Sequence, residues 1–277
     1  MKRILLIFSV LAVGSLSMAA QEYKWSYAEV DGSRTGCTTP SKENLAESIG
    51  TFDGTTYVAP NGTRHKKSSA AAKTAKVVLE AQPKMARVKD VIAYSTEYME
   101  KGYPESPLSN WLIDILIAKT EDLSGKRVHM GVTNFGGIRA DMPQGNVILD
   151  DLLSMFPFKN YLVYLEHKGS TIRGWLEEMA EKYVQVLGGV RVVIKDRKLE
   201  SVEIDGVPLD DDKVYGVTTV SFLLEGGDGL FLAKDALSMT EYKDVDVIDA
   251  VLEHVYAGTA AGRPIEYKTD GRVTIIK

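Results

Sequence analysis

The chain has 277 residues, 44% of them hydrophobic and 26% charged, enough to bury a sizeable core in one or two domains. Acidic residues outnumber basic ones, 38 to 33, and the net charge of −5 argues against a nucleic-acid polymer or an anionic membrane as partner. A single cysteine, Cys37, excludes an intrachain disulfide and reads as an unpaired thiol.

The first residues have the make-up of an export leader. Lys2 and Arg3 precede the apolar run ILLIFSVLAV, and SMAA supplies small residues for cleavage near Ala20. The run is shorter than the ~20 residues that cross a bilayer. Residues 1–20 are therefore expected to be a signal peptide and the mature chain periplasmic or secreted, with no membrane insertion. Loss of Lys2 and Arg3 would leave 31 basic against 38 acidic residues, a net of −7.

Residues 21–74 are rich in Gly, Ser, Thr and Lys and lack sustained periodicity. They read as a poorly ordered N-terminal extension, with one hairpin at Pro60-Asn61-Gly62. Residues 75–277 are regular. TAKVVLEAQPKMARV predicts a helix interrupted near Pro83, and DVIAYS a strand. SPLSNWLIDILIAKT predicts a stronger helix: Leu108, Trp111, Leu112 and Ile115 share one face, Ser106 is the N-cap and Pro107 opens the first turn.

RVHMGVT is strand-like, and Asp150 is expected to cap a short helix ending at Met155. YLVYLEH is a strand, and STIRGWLEEMAEKYVQVL an amphipathic helix with Ile172, Trp175, Leu176 and Met179 on one face. A β-rich stretch follows with a hairpin at Asp205-Gly206. Then come a strand over KVYGVTTVSFL, a helix over DVDVIDAVLEHVYA and a closing strand, RVTIIK. Alternating units mixed with hairpins give an α/β or α+β class with mixed sheets.

Hydrolytic motifs are missing. His65, His129, His167 and His254 stand far apart, and none lies in an Asp-x-His, Asn-His or His-Glu-x-x-His context. No Gly-x-Ser-x-Gly elbow or P-loop occurs. No catalytic or metal-ligating residue is assigned.

Three segments remain. In NFGGIR, Gly136 and Gly137 let backbone N–H groups approach a ligand beside the guanidinium of Arg139; taken singly, it reads as an ordinary turn with a surface arginine. In PFKN, Phe158 stands at the mouth of a strand with Asn160 beside it, where a phenylalanine usually packs in the core. In FLLEGGDGLF, Asp228 lies between glycines after Phe222, and either accepts bonds from sugar hydroxyls or closes an Asx-turn. Together they supply two aromatic faces, a guanidinium and polar side chains. That set suits a nucleoside, whose base stacks on aromatic rings for roughly 1–3 kcal/mol.

The ordered series NFGGIR, LDDLLSMFPFKNYLV, GSTIRGWLE and VEIDGVPLDDDKVYGVTTVSFLLEGGDGL resembles the C-terminal substrate-binding domain of the 5′-nucleotidase / UDP-sugar hydrolase family, from about Ala75 to Thr274. The resemblance implies a four-layer α/β fold. It also implies a base sandwiched by Phe158 and Phe222, ribose held by Asp228, Asn134 and Arg139 near the ribose and phosphate, and Asn160 as a further polar contact. The family's metallophosphatase motifs are missing from this sequence, and just before the helix, where the family usually has an arginine, the neighbourhood is KGYPES, with Lys101 nearby but no arginine.

The expectation is an exported nucleotide-binding half of a split 5′-nucleotidase. It would bind no cofactor of its own, the divalent metals belonging to a separately encoded metallophosphatase chain. The alternative is a non-catalytic periplasmic nucleoside-binding protein used in scavenging. A third reading makes Phe158 and Phe222 plain core residues of a structural relic.

Overall fold

The computed structural model describes residues 44–276. The expected leader, its cleavage point, Cys37 and residues 21–43 of the N-terminal extension fall outside that range.

Within the extension, the described part is regular. A helix Leu45–Ile49 (α1) leads into strands Thr51–Asp53 (β1), Thr56–Val58 (β2) and Arg64–Lys66 (β3), which pair antiparallel in chain order. The hairpin expected at Pro60-Asn61-Gly62 joins β2 to β3, with Gly62 at φ +81° and its N–H on Ala59 O. Strands of three residues are too short to print an alternation, which is why composition alone read them as unordered.

Helix Ala70–Met85 (α2) starts on Ser69, whose hydroxyl accepts from the Ala72 N–H. Tyr57, Ala72 and Ala75 form a small core of their own. The boundary expected at residue 75 thus falls inside α2. Pro83 lies in the final turn of α2, where its missing N–H forgoes the bond to the carbonyl of Leu79; the helix ends two residues later at Met85 and tightens into a 3-10 turn over Ala86–Lys89, close to where the interruption was expected.

Strand Val91–Ser95 (β4) precedes Pro107–Ser124 (α3), where Ser106 and Ser109 cap reciprocally and Leu108, Trp111, Leu112 and Ile115 are buried as expected. After Met130–Thr133 (β5) come Gly145–Ile148 (β6) and Leu149–Met155 (α4). The cap of α4 differs from expectation. Asp151, not Asp150, accepts the Ile148 N–H at 2.8 Å, while Asp150 lies in the first turn and pairs with Lys89.

Tyr161–Lys168 (β7) leads to Gly169–Glu181 (α5). The helix expected to reach Leu187 stops at Glu181, and Val186–Gly188 (β8) pairs antiparallel with β5. Tyr183-Val184-Gln185-Val186 is rich in aromatic and β-branched residues, which favour a strand once the apolar helical stripe ends at Met179.

Val190–Lys195 (β9), Lys198–Ile204 (β10), Val207–Pro208 (β11) and Val214–Val220 (β12) follow, with Asp205 and Gly206 turning β10 into β11. The strand expected through Leu223 ends at Val220. Ser238–Asp246 (β13), Val247–Ala260 (α6) and Val273–Ile276 (β14) complete the chain.

The central sheet has the order β13-β7-β12-β5-β8, with β12 parallel to β5 and the other pairs antiparallel. On one face Thr218 meets Thr120 of α3 at 2.6 Å; on the other His167 packs edge-on to Trp175 of α5, centroids 4.5 Å apart. Helix α5 also packs on β10 of the second sheet, β11-β10-β9-β14, and α3 packs with α6. The layers are α3/α6, central sheet, α5 and second sheet: the mixed α/β, four-layer fold.

Candidate nucleotide site

The topology gathers the candidate segments at one end of the central sheet. Strands β5 and β12 are parallel neighbours, so the loops leaving them, 134–141 and 221–229, emerge side by side. Strand β7 runs antiparallel to β12 with Leu162 opposite Val220, which brings residues 157–160 to that same end. Helix α6 starts there too, its Val247 N–H donating to Asn160 O at 2.9 Å.

Asn134 is buried at 5% exposure, with its amide lying over the double glycine. A Cβ on Gly136 would stand 3.1 Å from Asn134 Nδ2, and one on Gly137 would stand 3.0 Å from Asn134 Oδ1. Any larger residue would push the amide away. Nδ2 donates to Asp228 Oδ2 at 2.6 Å, a charge-assisted bond that ties the two loops together.

Asp228 is exposed and left-handed, at φ +48°, a region that Asp tolerates better than most residues. Its neighbour Gly227 has no alternative, since a Cβ there would fall 2.0 Å from Phe222 O. The turn carrying Asp228 therefore rests directly on the backbone of Phe222.

Arg139 is anchored by its own N–H to Met155 O at 2.9 Å. Its exposed guanidinium lies 5.5 Å from the Phe158 ring centroid and donates weakly to Gly136 O at 3.3 Å. Phe158 and Phe222 are each 45% exposed, so neither is a core residue. Leu112, Thr133, Asn134, Gly137, Phe158 and Asn160 line one narrow cleft.

All eight sequence-derived residues thus lie on loops converging at one sheet end: Asn134, Gly136, Gly137, Arg139, Phe158, Asn160, Phe222 and Asp228. Thr133, Leu112 and Val247 also line the cleft. They went unnoticed in the sequence because each looks like an ordinary strand or helix core position. Lys101 is close by, but its Nζ donates to Ile138 O at 2.9 Å. The cleft and the loops beside it offer stacking faces, donors and the Asp228 carboxylate and, among the described residues there, no nucleophile paired with a base. Among the described residues no group of three or more His, Cys, Asp or Glu is placed to share a metal, and no helix is long and apolar enough to cross a membrane.

The family model described as 5′-nucleotidase, C-terminal domain, matches residues 84–235. The trifunctional nucleotide phosphoesterase YfkN of Bacillus subtilis is 29% identical over 189 residues, which cover 61% of this chain and 12% of that protein. Protein UshA of Yersinia enterocolitica is 32% identical over 123 residues, 43% of this chain and 22% of its own. The crystal structure of a 5′-nucleotidase precursor from Thermus thermophilus superposes with a TM-score of 0.65 at 24% identity, over 79% of this chain and 45% of that one. The matched region therefore spans under half the length of each of these relatives.

Proposed function

From the premise that this chain belongs to the 5′-nucleotidase C-terminal domain family, we propose that it binds a nucleoside monophosphate and presents it to a metallophosphatase carried on a separate chain. The observation that carries the reading is the exposure of Phe158 and Phe222, 45% each, on neighbouring loops of a well-packed domain. Apolar rings left half in water forgo burial energy that a stacked base recovers. Asp228 and Asn134 receive the ribose hydroxyls, Asn160 adds a polar contact, and Arg139 faces the phosphate. The backbone at Gly136 and Gly137 lets the ligand come close.

The hydrolytic step belongs to the partner. Among the described residues no group of three or more His, Cys, Asp or Glu could hold a metal, and the divalent metals that activate water are assigned to the partner. Export is part of the proposal and rests on the basic, apolar and small-residue order of the first twenty positions.

A nucleoside-capture role is favoured by one observation. The ammonium of Lys101, the nearest replacement for a second phosphate-binding cation, is turned onto Ile138 O. Calorimetric titration with AMP and with adenosine in metal-free buffer separates the two. AMP preference, together with nucleotide hydrolysis when a metallophosphatase from the same genome is added, supports presentation. Equal affinities with no hydrolysis would replace it by capture, and no binding of either ligand would overturn both.

A further inference from the structure

Beside the cleft, two distant segments grip the turn that holds Asn134 and Arg139. The first is 98–103. Tyr98 OH donates to Asp141 Oδ2 at 2.7 Å, the Lys101 N–H to Asp141 Oδ1 at 2.9 Å, and Lys101 Nζ to Ile138 O at 2.9 Å. The second is 183–185, just ahead of β8. The ladder between β5 and β8 ends at Thr133 and Val186, and beyond it the buried Gln185 side chain takes over: its Oε1 accepts the Phe135 N–H at 3.2 Å. That donor would otherwise be stranded where the chain leaves the sheet.

The two segments are joined by their tyrosines. Tyr103 and Tyr183 stack with centroids 4.5 Å apart and planes 23° from parallel, and both rings lie 6.1 Å from Phe135, the residue next to Asn134. Each tyrosine is nearly half exposed, 46% and 47%. The stack buries too little to matter for the core, yet it packs against Phe135, the second residue of the turn.

We infer that Tyr103, Tyr183 and Gln185 are positioning residues: a clasp that fixes the 134–139 turn before ligand arrives, so that Asn134 and Arg139 need not be ordered on binding. Its consequence for nucleotides rests on the proposed function; the clasp itself does not. A preorganised turn spares a ligand the ordering cost of the groups that meet it. The benefit falls mainly on the phosphate and ribose side, because Phe158 and Phe222 are held by other loops.

The test combines hydrogen exchange with titration on wild type, Tyr183→Ala, Tyr183→Phe and Gln185→Met. The amides of Phe135, Gly137, Ile138 and Arg139 are all hydrogen-bonded and report the turn directly. In Tyr183→Ala and Gln185→Met they should exchange about tenfold faster while amides of β7 and β12 keep wild-type protection. Tyr183→Phe should behave as wild type, since the stack needs the ring and not the hydroxyl. AMP affinity should fall about tenfold in the first two variants, with a smaller loss for adenosine. Unchanged turn exchange overturns the clasp, as does equal loss of protection throughout the domain in both variants. If wild type binds neither ligand, the nucleotide reading fails while the exchange data still decide the clasp.

Discussion

Asn134 and Asp228 are 94 positions apart in the chain and meet side chain to side chain at 2.6 Å. The contact closes the ribose end of the proposed site and makes one surface of two loops. Asp228→Asn keeps a residue that tolerates the left-handed backbone but removes the charge. AMP binding should weaken by about 1.5 kcal/mol with little change in melting temperature. Titration and a thermal melt on the same sample check both.

Phe158→Ala and Phe222→Ala should each cost about 1–3 kcal/mol of nucleotide binding. Because both rings are half exposed, stability should fall by less than about 1 kcal/mol in either variant, measured by denaturant unfolding. A stability loss of about 3–5 kcal/mol would instead mark them as core.

Arg139→Ala should abolish the preference for AMP over adenosine. With the guanidinium exposed, its removal should change stability by no more than about 0.5 kcal/mol. The ratio of the two dissociation constants is the readout.

Acid should destabilise the fold through histidines held neutral. Burial lowers the pKa of His129, whose Nδ1 accepts the Gly216 N–H at 3.0 Å. Burial also lowers that of His167, which is inaccessible and bonded to Leu232 O. The unfolded chain takes up these protons near pH 6.5 while the folded chain does not. Their contribution is thus complete above that pH and is lost as pH falls toward the lowered folded values. Denaturant midpoints between about pH 7.5 and 5 should decline, and less steeply in His129→Asn, whose Oδ1 stands in the place of Nδ1 and can still accept from Gly216.

Arg272 is buried between Asp114, which it meets at 2.8 and 2.9 Å, and Asp270. Burial opposes its charge, and the two carboxylates outweigh burial and keep it protonated. Burial and the Asp114 bond raise the Tyr267 hydroxyl to about 12. Asp114→Ala strips Arg272 of its paired acceptor and should cost about 2 kcal/mol, softened because Asp270 remains. Urea unfolding measures it.

Much of the fold was legible wherever a local pattern coincided with burial. Ser106, Pro107 and the Leu108–Ile115 stripe spell out α3, and Asp205-Gly206 marks its hairpin. Strand β13 was not legible because it is a sheet edge: Ser238–Asp246 is largely polar and has no fully buried residue to set an alternation. Strand β8 was absorbed into the preceding helix, and β1–β3 are too short to show a period. The site was legible only in pieces. Spacing cannot say that Asn134, Phe158 and Asp228 converge, since that follows from β5 and β12 being parallel neighbours and from β7 running antiparallel to β12. The family resemblance joined segments that each looked ordinary alone.

Gly227 carries a last consequence. Its missing side chain lets the Asp228 turn lie on the carbonyl of Phe222, so neither can slide past the other. In a nucleotide complex these two would form a fixed gauge of the distance from base to sugar. A ligand there would be read by the distance between its base and its sugar as well as by the fit of each half. Gly227→Ala would spoil the gauge at its pivot.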